Sequence, residues 1–131
     1  MMQVPCYLAP SMIEGIGAFT RVAIRKGDVV WRFDGRFDRL IPEADFHAAP
    51  EHFKEFLMRY CYPAPSYPGF FVLESDEGRY INHSDAPNTD YRFEDCGRAM
   101  RDIAAGEELT CDYGHFLSGE IEWMPPRHLE E

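Results

Sequence analysis

The segment RYINHSDAPN, residues 79–88, is the most informative part of this chain of 131 residues. From Asn82 to Asn88 the residues are polar or turn-forming, while aromatic and aliphatic residues lie on both sides. Such a segment predicts a loop fixed between strands, where binding residues are commonly found. Asn82 offers a hydrogen-bond donor and an acceptor, which suits a zwitterionic amino-acid ligand. A turn that satisfies its own backbone explains the same residues.

Two further glycine-bearing segments stand on either side of it: EGIGAF (residues 14–19) and GEELTCDYGHF (residues 106–116). Gly15 and Gly17 would let the backbone approach a ligand closely and expose its N–H groups, although a tight turn between strands explains them equally well. Tyr113 follows a short strand and precedes a glycine, so its hydroxyl could point into a cleft. A core tyrosine with a satisfied hydroxyl is the alternative.

Short strands dominate the rest of the chain. Alternating or β-rich runs bounded by Gly, Pro, Asp or Asn predict strands at residues 18–24, 29–33, 70–74, 89–93 and 99–103. The segments KGD (residues 26–28) and DCG (residues 95–97) resemble hairpin turns in which glycine can adopt a positive φ.

One segment predicts a helix. Pro50 suits its first turn, and Phe53, Phe56, Leu57 and Tyr60 recur at helical spacing. The proline-rich residues 62–69 that follow exclude a helix or a central strand. The chain length is that of one domain, so residues 1–131 are expected to form a single, mostly β domain with one inserted helix.

Charge narrows the range of partners. The chain carries 13 basic and 23 acidic residues, a formal net charge of −10. This balance argues against direct nucleic-acid binding, which depends on Lys and Arg neutralising phosphates. An acidic surface would instead attract basic partners such as lysine-rich tails, although the charge can also serve solubility alone.

Cysteine usage and hydropathy predict a cytoplasmic protein. The four cysteines (Cys6, Cys61, Cys96, Cys111) form no CxxC pair, which favours reduced, buried thiols over a zinc site. No run approaches the roughly 18 apolar residues of a membrane helix. The first residues lack the basic and apolar regions of a secretion signal, so export into a host would need an unrecognised route.

The three segments together resemble the SET-domain protein lysine methyltransferases. The resemblance rests on Gly-x-Gly, then NHSxxPN, then GEELTxDYG, in this order, with VAIRKGDVV (residues 22–30) after the first motif. It covers about residues 13–116, nearly the whole chain. The chain also resembles the small, free-standing SET proteins of bacteria and viruses. The resemblance implies a knotted β-clip fold, that is, several small β-sheets with a knotted C-terminal segment.

The family's site residues transfer to this sequence motif by motif. The resemblance implies S-adenosylmethionine as cofactor, bound by Gly15, Ile16, Gly17, Asn82, His83 and Phe116. It implies Tyr113 as the catalytic tyrosine and Tyr91 as a second one. Tyr80, Tyr113, Phe116 and Trp123 would form the channel for the substrate lysine. Pro87 and Asn88 would hold the knot, and no metal is required.

The chemistry explains these residue types. A free lysine has a pKa of ~10.4, so roughly one amine in two thousand is deprotonated at pH 7. An aromatic channel and a nearby sulfonium both lower that pKa. Tyrosine hydroxyls can position the amine without adding charge, and aromatic faces tolerate the cationic product. The expected substrate is a basic protein or peptide.

The sequence departs from the family in places. Asp85 stands where cysteine is common, and no cysteine-rich segment follows Phe116, so the zinc-bound post-SET element is missing. Residues 117–131, with Trp123, are candidates to cover the lysine channel. Cys111 stands where a larger residue often limits methylation, and Tyr91 could offset it, which leaves the product state open. Some small members dimerise, so a homodimer is also open.

Two other functions compete. A SET-fold module that binds a peptide or cofactor without turnover would keep the fold, but the retained Tyr113 and Asn82 argue against it. A metal hydrolase could use His83, Asp85, Asp112 and His115, yet these residues match no known ligand spacing.

Overall fold

The computed structural model describes residues 1–93 and 96–116. Within them the chain forms ten short strands, two α-helices and two 3₁₀ turns. In chain order the strands and helices are β1 Cys6–Pro10, β2 Ile16–Thr20, β3 Val29–Arg32, β4 Arg39–Pro42, α1 Glu43–Ala48, α2 Glu51–Tyr60, β5 Cys61–Pro63, β6 Phe70–Leu73, β7 Asn82–His83, β8 Thr89–Phe93, β9 Cys96–Ala99 and β10 Thr110–Cys111. The 3₁₀ turns are Glu77–Tyr80 and Tyr113–Phe116.

The strands form four small sheets, which confirms the predicted fold class. β1 pairs with β2, and two three-stranded sheets have the orders β3-β9-β8 and β4-β6-β5. These pairings are antiparallel. The fourth sheet is the parallel pair β7–β10, which joins segments that lie far apart in sequence. This pair brings the second and third motifs side by side.

The predicted strands agree with the observed ones to different degrees. The prediction of residues 89–93 coincides with β8, and those of 29–33 and 70–74 each extend one residue beyond β3 and β6. The predictions of 18–24 and 99–103 are displaced from β2 and β9 toward the C-terminus. Hydrophobic patterns continue past the paired residues in both places, because Ile24 and Ile103 are buried and form an isolated bridge with each other.

The two predicted hairpin turns have different outcomes. Gly27 has a φ of 89°, as expected for a glycine turn, but β2 and β3 belong to different sheets, so this turn closes no hairpin between them. Of the second predicted turn, Cys96 and Gly97 lie in β9, and Asp95 lies outside the described residues. Gly97 serves a close approach instead: a Cβ there would lie 2.8 Å from the Tyr91 ring.

The inserted segment contains two helices where the sequence predicted one. α2 begins after Pro50 as expected, and its fully buried residue is Leu57. α1 was missed because it has only six residues and buries one of them, Phe46. Both helices lie between β4 and β5 in the chain, and Phe46 stacks on Phe71 of β6 with ring centroids 4.1 Å apart.

The core is continuous across the sheets. Its largest fully buried side chains include Phe71, Leu57, Ile103 and Leu109. All four cysteines are buried and free of disulfides, as the sequence predicted. No helix within residues 1–93 and 96–116 has the length and apolar character needed to cross a membrane.

Candidate functional site

The second and third motifs are joined around Asn88. This side chain is buried; its Nδ2 donates to the Glu108 carbonyl oxygen (2.8 Å), and its Oδ1 accepts from the Thr110 N–H (2.8 Å). Thr89 Oγ1 donates to the Thr110 carbonyl oxygen at 2.6 Å. The hydrogen bonds hold the strand before Tyr113 against the loop that begins at Asn82.

Asn82 connects these two motifs to the first one. Its Nδ2 donates to the carbonyl oxygen of Glu14 (3.1 Å) and to Oε2 of Glu108 (3.0 Å). Glu108 also accepts from Ser11 Oγ at 2.8 Å. The three motifs therefore meet at a single buried amide.

This arrangement requires glycine at residue 17, because a side chain there would collide with Glu108. A Cβ at residue 17 would lie 2.3 Å from Oε2 of Glu108. Gly15 has a φ of 47°, in the left-handed region that favours glycine. The first motif thus needs one glycine for close approach and the other for backbone conformation.

A cavity of about 260 Å³ opens beside the three motifs. Its lining combines backbone from the first motif, aromatic rings and two guanidinium groups. The lining residues are Gly15, Ile16, Arg59, Tyr60, Arg79, Tyr80, Ile81, Asn82 and Tyr113. We call this space the larger cavity, by comparison with a smaller one that lies next to it.

A second, narrower cavity of about 30 Å³ lies next to it. Its lining includes five aromatic rings, and the lining residues are Arg59, Tyr60, Cys61, Tyr62, Glu74, Gly78, Arg79, Ile81, Tyr91, Cys111, Tyr113 and Phe116. We call this space the smaller cavity. Arg59, Tyr60, Arg79, Ile81 and Tyr113 line both cavities, so the two spaces meet at these residues.

Tyr113 stands at this junction in a fixed orientation. Its hydroxyl donates to the Ile81 carbonyl oxygen at 2.6 Å, and its backbone N–H donates to His83 Nδ1 at 3.0 Å. Burial raises the pKa of the Tyr113 hydroxyl well above its usual value. The hydroxyl therefore stays protonated and can orient a nucleophile, but it is a poor base.

Tyr91 faces the smaller cavity from β8. It is buried, and its hydroxyl has no hydrogen-bond partner among the described residues. Burial also raises the pKa of Tyr91 well above its usual value. A buried hydroxyl without a partner is costly, so this group is suited to bind a polar atom of a ligand.

The other predicted site residues lie in different places. Phe116 lines the smaller cavity and not the larger one, with its ring centroid 4.3 Å from that of Tyr62. Tyr80 lines the larger cavity, with Gly15, Ile16 and Asn82, whereas Gly17 lines neither cavity. His83 lines neither cavity, and its Nε2 lies 2.9 Å from Asp85 Oδ1. Trp123 and the predicted cover formed by residues 117–131 lie outside the described residues.

The residues named for a metal hydrolase approach one another only in pairs. His83 lies beside Asp85 and Asp112, and His115 Nε2 lies 3.6 Å from Asp112 Oδ2. Within the described part of the chain, no group of three or more His, Cys, Asp or Glu residues is arranged to hold a metal ion.

Sequence reasoning missed several lining residues, among them Arg59, Arg79, Tyr62 and Glu74. Arg79 begins the second motif, and Glu74 ends a predicted strand, so both were visible as polar residues beside apolar runs. Arg59 and Tyr62 offered no comparable signal, since their role depends on how α2 and β5 pack against the motifs.

The larger cavity fits S-adenosylmethionine in its chemistry. Arg59 and Arg79 can pair with a carboxylate, and the Asn82 amide and the backbone at Gly15 can bind the polar methionine end. Tyr60 and Tyr80, with ring centroids 5.5 Å apart, offer aromatic surface. The donor set suits an amino-acid end joined to a planar ring system.

Comparison with known proteins shows what this chain is similar to. A sequence model of the SET domain matches residues 15–114. A protein of Plasmodium falciparum (isolate 3D7), provisionally named histone-lysine N-methyltransferase 1, is 30% identical over 125 residues, which cover 87% of this chain and 2% of that protein. The chain therefore spans a small fraction of this curated relative.

Solved structures show the same fold. Polycomb repressive complex 2 of Chaetomium thermophilum is 28% identical with a TM-score of 0.65, over 85% of this chain and 15% of the other. An autoinhibited form, ctPRC2 bound to S-adenosylmethionine, is 27% identical with a TM-score of 0.63, over 86% and 15% of the two chains. A histone methyltransferase structure from P. falciparum, at 22% identity and a TM-score of 0.60, matches 87% of this chain and 96% of its own, and supports the fold alone.

Proposed function

Since the chain belongs to the SET-domain family, whose sequence model matches residues 15–114, we propose that it transfers a methyl group from S-adenosylmethionine to the ε-amine of a lysine in a protein substrate. Methyl transfer to a histone lysine is the activity that the provisional name of the P. falciparum relative states. The proposal extends it to this chain, to this cofactor and to a basic protein as substrate.

The observation that carries the proposal is the meeting of the two cavities at Tyr113 and Ile81. One cavity has the donors for a polar cofactor, and the other is narrow and aromatic. A lysine side chain that enters the smaller cavity would present its amine at the junction, where a cofactor in the larger cavity would present its methyl group. Such alignment of two reactants accounts for much of the rate in this kind of transfer.

Bound S-adenosylmethionine supplies an activated methyl group on a sulfonium. The residues of the chain then have three tasks. The Tyr113 hydroxyl, held by Ile81, orients the amine; the buried Tyr91 hydroxyl offers a further polar contact in the same space. Tyr62 and Phe116 form apolar walls that exclude water.

A basic protein segment is the substrate class that the charge favours. The net charge of −10 would attract lysine-rich partners and repel acidic ones. The P. falciparum relative carries a name that refers to histones, which are substrates of this chemical class. Because the chain covers only a small part of that curated relative, the relative's substrate does not transfer to this chain directly. A histone substrate is therefore part of the proposal.

The first experiment is calorimetric titration with S-adenosylmethionine of the wild-type protein and of Asn82→Ala. We expect micromolar binding by the wild type and no measurable binding by the variant, because Asn82 joins all three motifs. Ser84→Ala, an exchange in the same loop outside both cavities, is the matched control and should bind like the wild type. A folded wild-type protein that binds no S-adenosylmethionine would contradict the proposal.

Transfer itself is measured next, with radiolabelled methyl groups and a panel of basic proteins. Tyr113→Phe should lose about a hundredfold in kcat, because the amine loses its orienting hydroxyl. Its affinity for the cofactor should change little. Binding of the cofactor without transfer to any protein in the panel would favour the alternative of a binding module without turnover.

A further inference from the structure

Glu74 is a buried carboxyl group at the end of β6 for which the proposed mechanism so far has no role. The residue is 2% exposed, and its Oε1 accepts a hydrogen bond from the Tyr62 hydroxyl at 2.9 Å. Its Oε2 occupies the space left by the missing side chain of Gly78, where a Cβ would lie 2.6 Å away. Two contacts therefore fix the carboxyl group at the wall of the smaller cavity.

Glu74 is the single acidic residue among the described residues that line the smaller cavity. The other charged lining residues, Arg59 and Arg79, are cationic. The Nε of Arg79 donates to the backbone carbonyl oxygen of Glu74. A cation that enters the cavity thus meets two like charges and one group able to accept its proton.

The surroundings of Glu74 disfavour its charged form. The pKa of Glu74 is raised to about 8, chiefly by burial and to a smaller extent by Asp76 and Asp38, while the Tyr62 hydrogen bond and the Met1 ammonium oppose the rise. The other titratable or charged groups that line the cavity are Arg59, Tyr60, Cys61, Arg79, Tyr91, Cys111 and Tyr113. Burial raises the pKa of the Cys61, Cys111 and Tyr91 side chains, so these groups stay neutral near pH 8.

A lysine that reaches this cavity carries a proton that must leave before methyl transfer. In water its pKa is ~10.4, so a base with a pKa near neutrality is needed to take the proton at working pH. Tyr113 and Tyr91 are poor bases because their hydroxyls stay protonated. Glu74 is the remaining candidate among the described lining residues.

We propose that Glu74 is the proton acceptor for the substrate lysine, a role that rests on the proposed methyl transfer. An N–H bond of the ammonium breaks, and its proton forms an O–H bond on the Glu74 carboxylate. The lone pair of the free amine then forms the C–N bond while the C–S bond breaks, and that electron pair stays on sulfur. The proton passes from Glu74 to water when the product leaves.

The test compares wild type with Glu74→Gln, which keeps a hydrogen-bond acceptor for Tyr62 but cannot take a proton. For the wild type, kcat should rise with pH through about 8, because the base must be ionised. In the variant this rise should disappear and kcat near pH 8 should fall about a hundredfold. The calorimetric affinity for S-adenosylmethionine should stay the same.

A second measurement reports the state of Glu74 without any turnover. The folded-state pKa of about 8 lies above the ordinary value of 4.5, so the folded protein holds a proton that the unfolded chain releases. Wild-type stability should therefore decline between about pH 4.5 and 8 and level off above that range. Urea unfolding of Glu74→Gln should lack this component of the decline, whereas Glu55→Gln, an exposed exchange of the same type on α2, should retain it.

The outcomes separate the two proposals. If the wild type methylates a protein and Glu74→Gln keeps both its kcat and its pH profile, Glu74 is not the proton acceptor while the proposed function stands. A different outcome is that Glu74→Gln loses its fold or its cofactor affinity, while its residual kcat keeps the wild-type dependence on pH. In that case the residue has a structural role only, which also overturns the inference. A wild type that transfers no methyl group overturns both.

Discussion

At the scale of single residues, the side chain of Asn82 links parts of the chain that are distant in sequence. Its Nδ2 reaches Glu14, in the first motif, and Glu108, in the third. The Glu108 carboxylate in turn contacts Ser11 and lies where a side chain at residue 17 would stand. A substitution of Asn82 or Glu108 is therefore expected to disturb all three motifs.

Gly17 offers a sharp test of this arrangement. In Gly17→Ala the new Cβ would lie 2.3 Å from Glu108 Oε2, so either β2 or the carboxylate must move. We expect a loss of about 1–3 kcal/mol in the free energy of unfolding. We also expect the affinity for S-adenosylmethionine to fall about tenfold or more, because the backbone that lines the larger cavity is displaced. Urea unfolding and calorimetry measure the two effects.

Gly35→Ala is the matched control for that variant. A Cβ at residue 35 would meet its nearest atom at 3.7 Å, an ordinary contact, and the residue has no positive φ. Both measured quantities should stay near the wild-type values. Equal effects of the two exchanges would show that close packing at residue 17 is unimportant.

At the scale of elements, α2 determines where two of the shared cavity residues lie. It carries Arg59 and Tyr60 in its last turn, while its fully buried residue is Leu57. A helix of ten residues gains little stability from its own hydrogen bonds, so packing must hold it in place. The position of Arg59 and Tyr60 thus depends on the contact made by Leu57.

Leu57→Ala should therefore affect both stability and binding. Removal of a fully buried leucine costs about 2–5 kcal/mol in the free energy of unfolding. The affinity for S-adenosylmethionine should fall as well, because Arg59 and Tyr60 lose their fixed position. Phe53→Ala is the control on the same helix: Phe53 is 45% exposed, so its removal should cost much less. If Phe53→Ala proved the more damaging exchange, the exposed face of α2 would be the one that holds the helix.

At the scale of the whole molecule, the net charge of −10 predicts a salt-dependent encounter with substrate. Attraction between an acidic enzyme and a basic protein is screened beyond a Debye length of ~10 Å at 0.1 M salt. The KM for a basic protein should rise severalfold as salt increases from about 0.05 to 0.5 M. The kcat at saturating substrate should stay constant, since the smaller cavity is buried. Steady-state kinetics at a series of salt concentrations would measure both, and a KM that is independent of salt would contradict the expected steering.

The sequence by itself determined the family, the three motifs and five of the ten strands in the described part of the chain. Positive φ at Gly15 and Gly27, strand alternation in β8 and the first turn of α2 at Pro50 are local effects, which a linear reading can detect. The site residues of the motifs could be named for the same reason, because each motif is continuous in sequence.

The tertiary structure decided what lies between the motifs. α1, β5, β7 and β10 contain six residues or fewer, too short for a periodic signal. β7 and β10 exist because they pair with each other across a long stretch of sequence, and β5 exists because it pairs with β6. The same holds for the junction of the two cavities, where Arg59 of α2 meets Tyr113. The burial of Glu74, which raises the pKa of its carboxyl group, arises only when Tyr62 of β5 and the turn at Gly78 pack against the end of β6. Packing sets the local dielectric and the neighbours of a titratable group, and neither can be deduced from the order of residues along the chain.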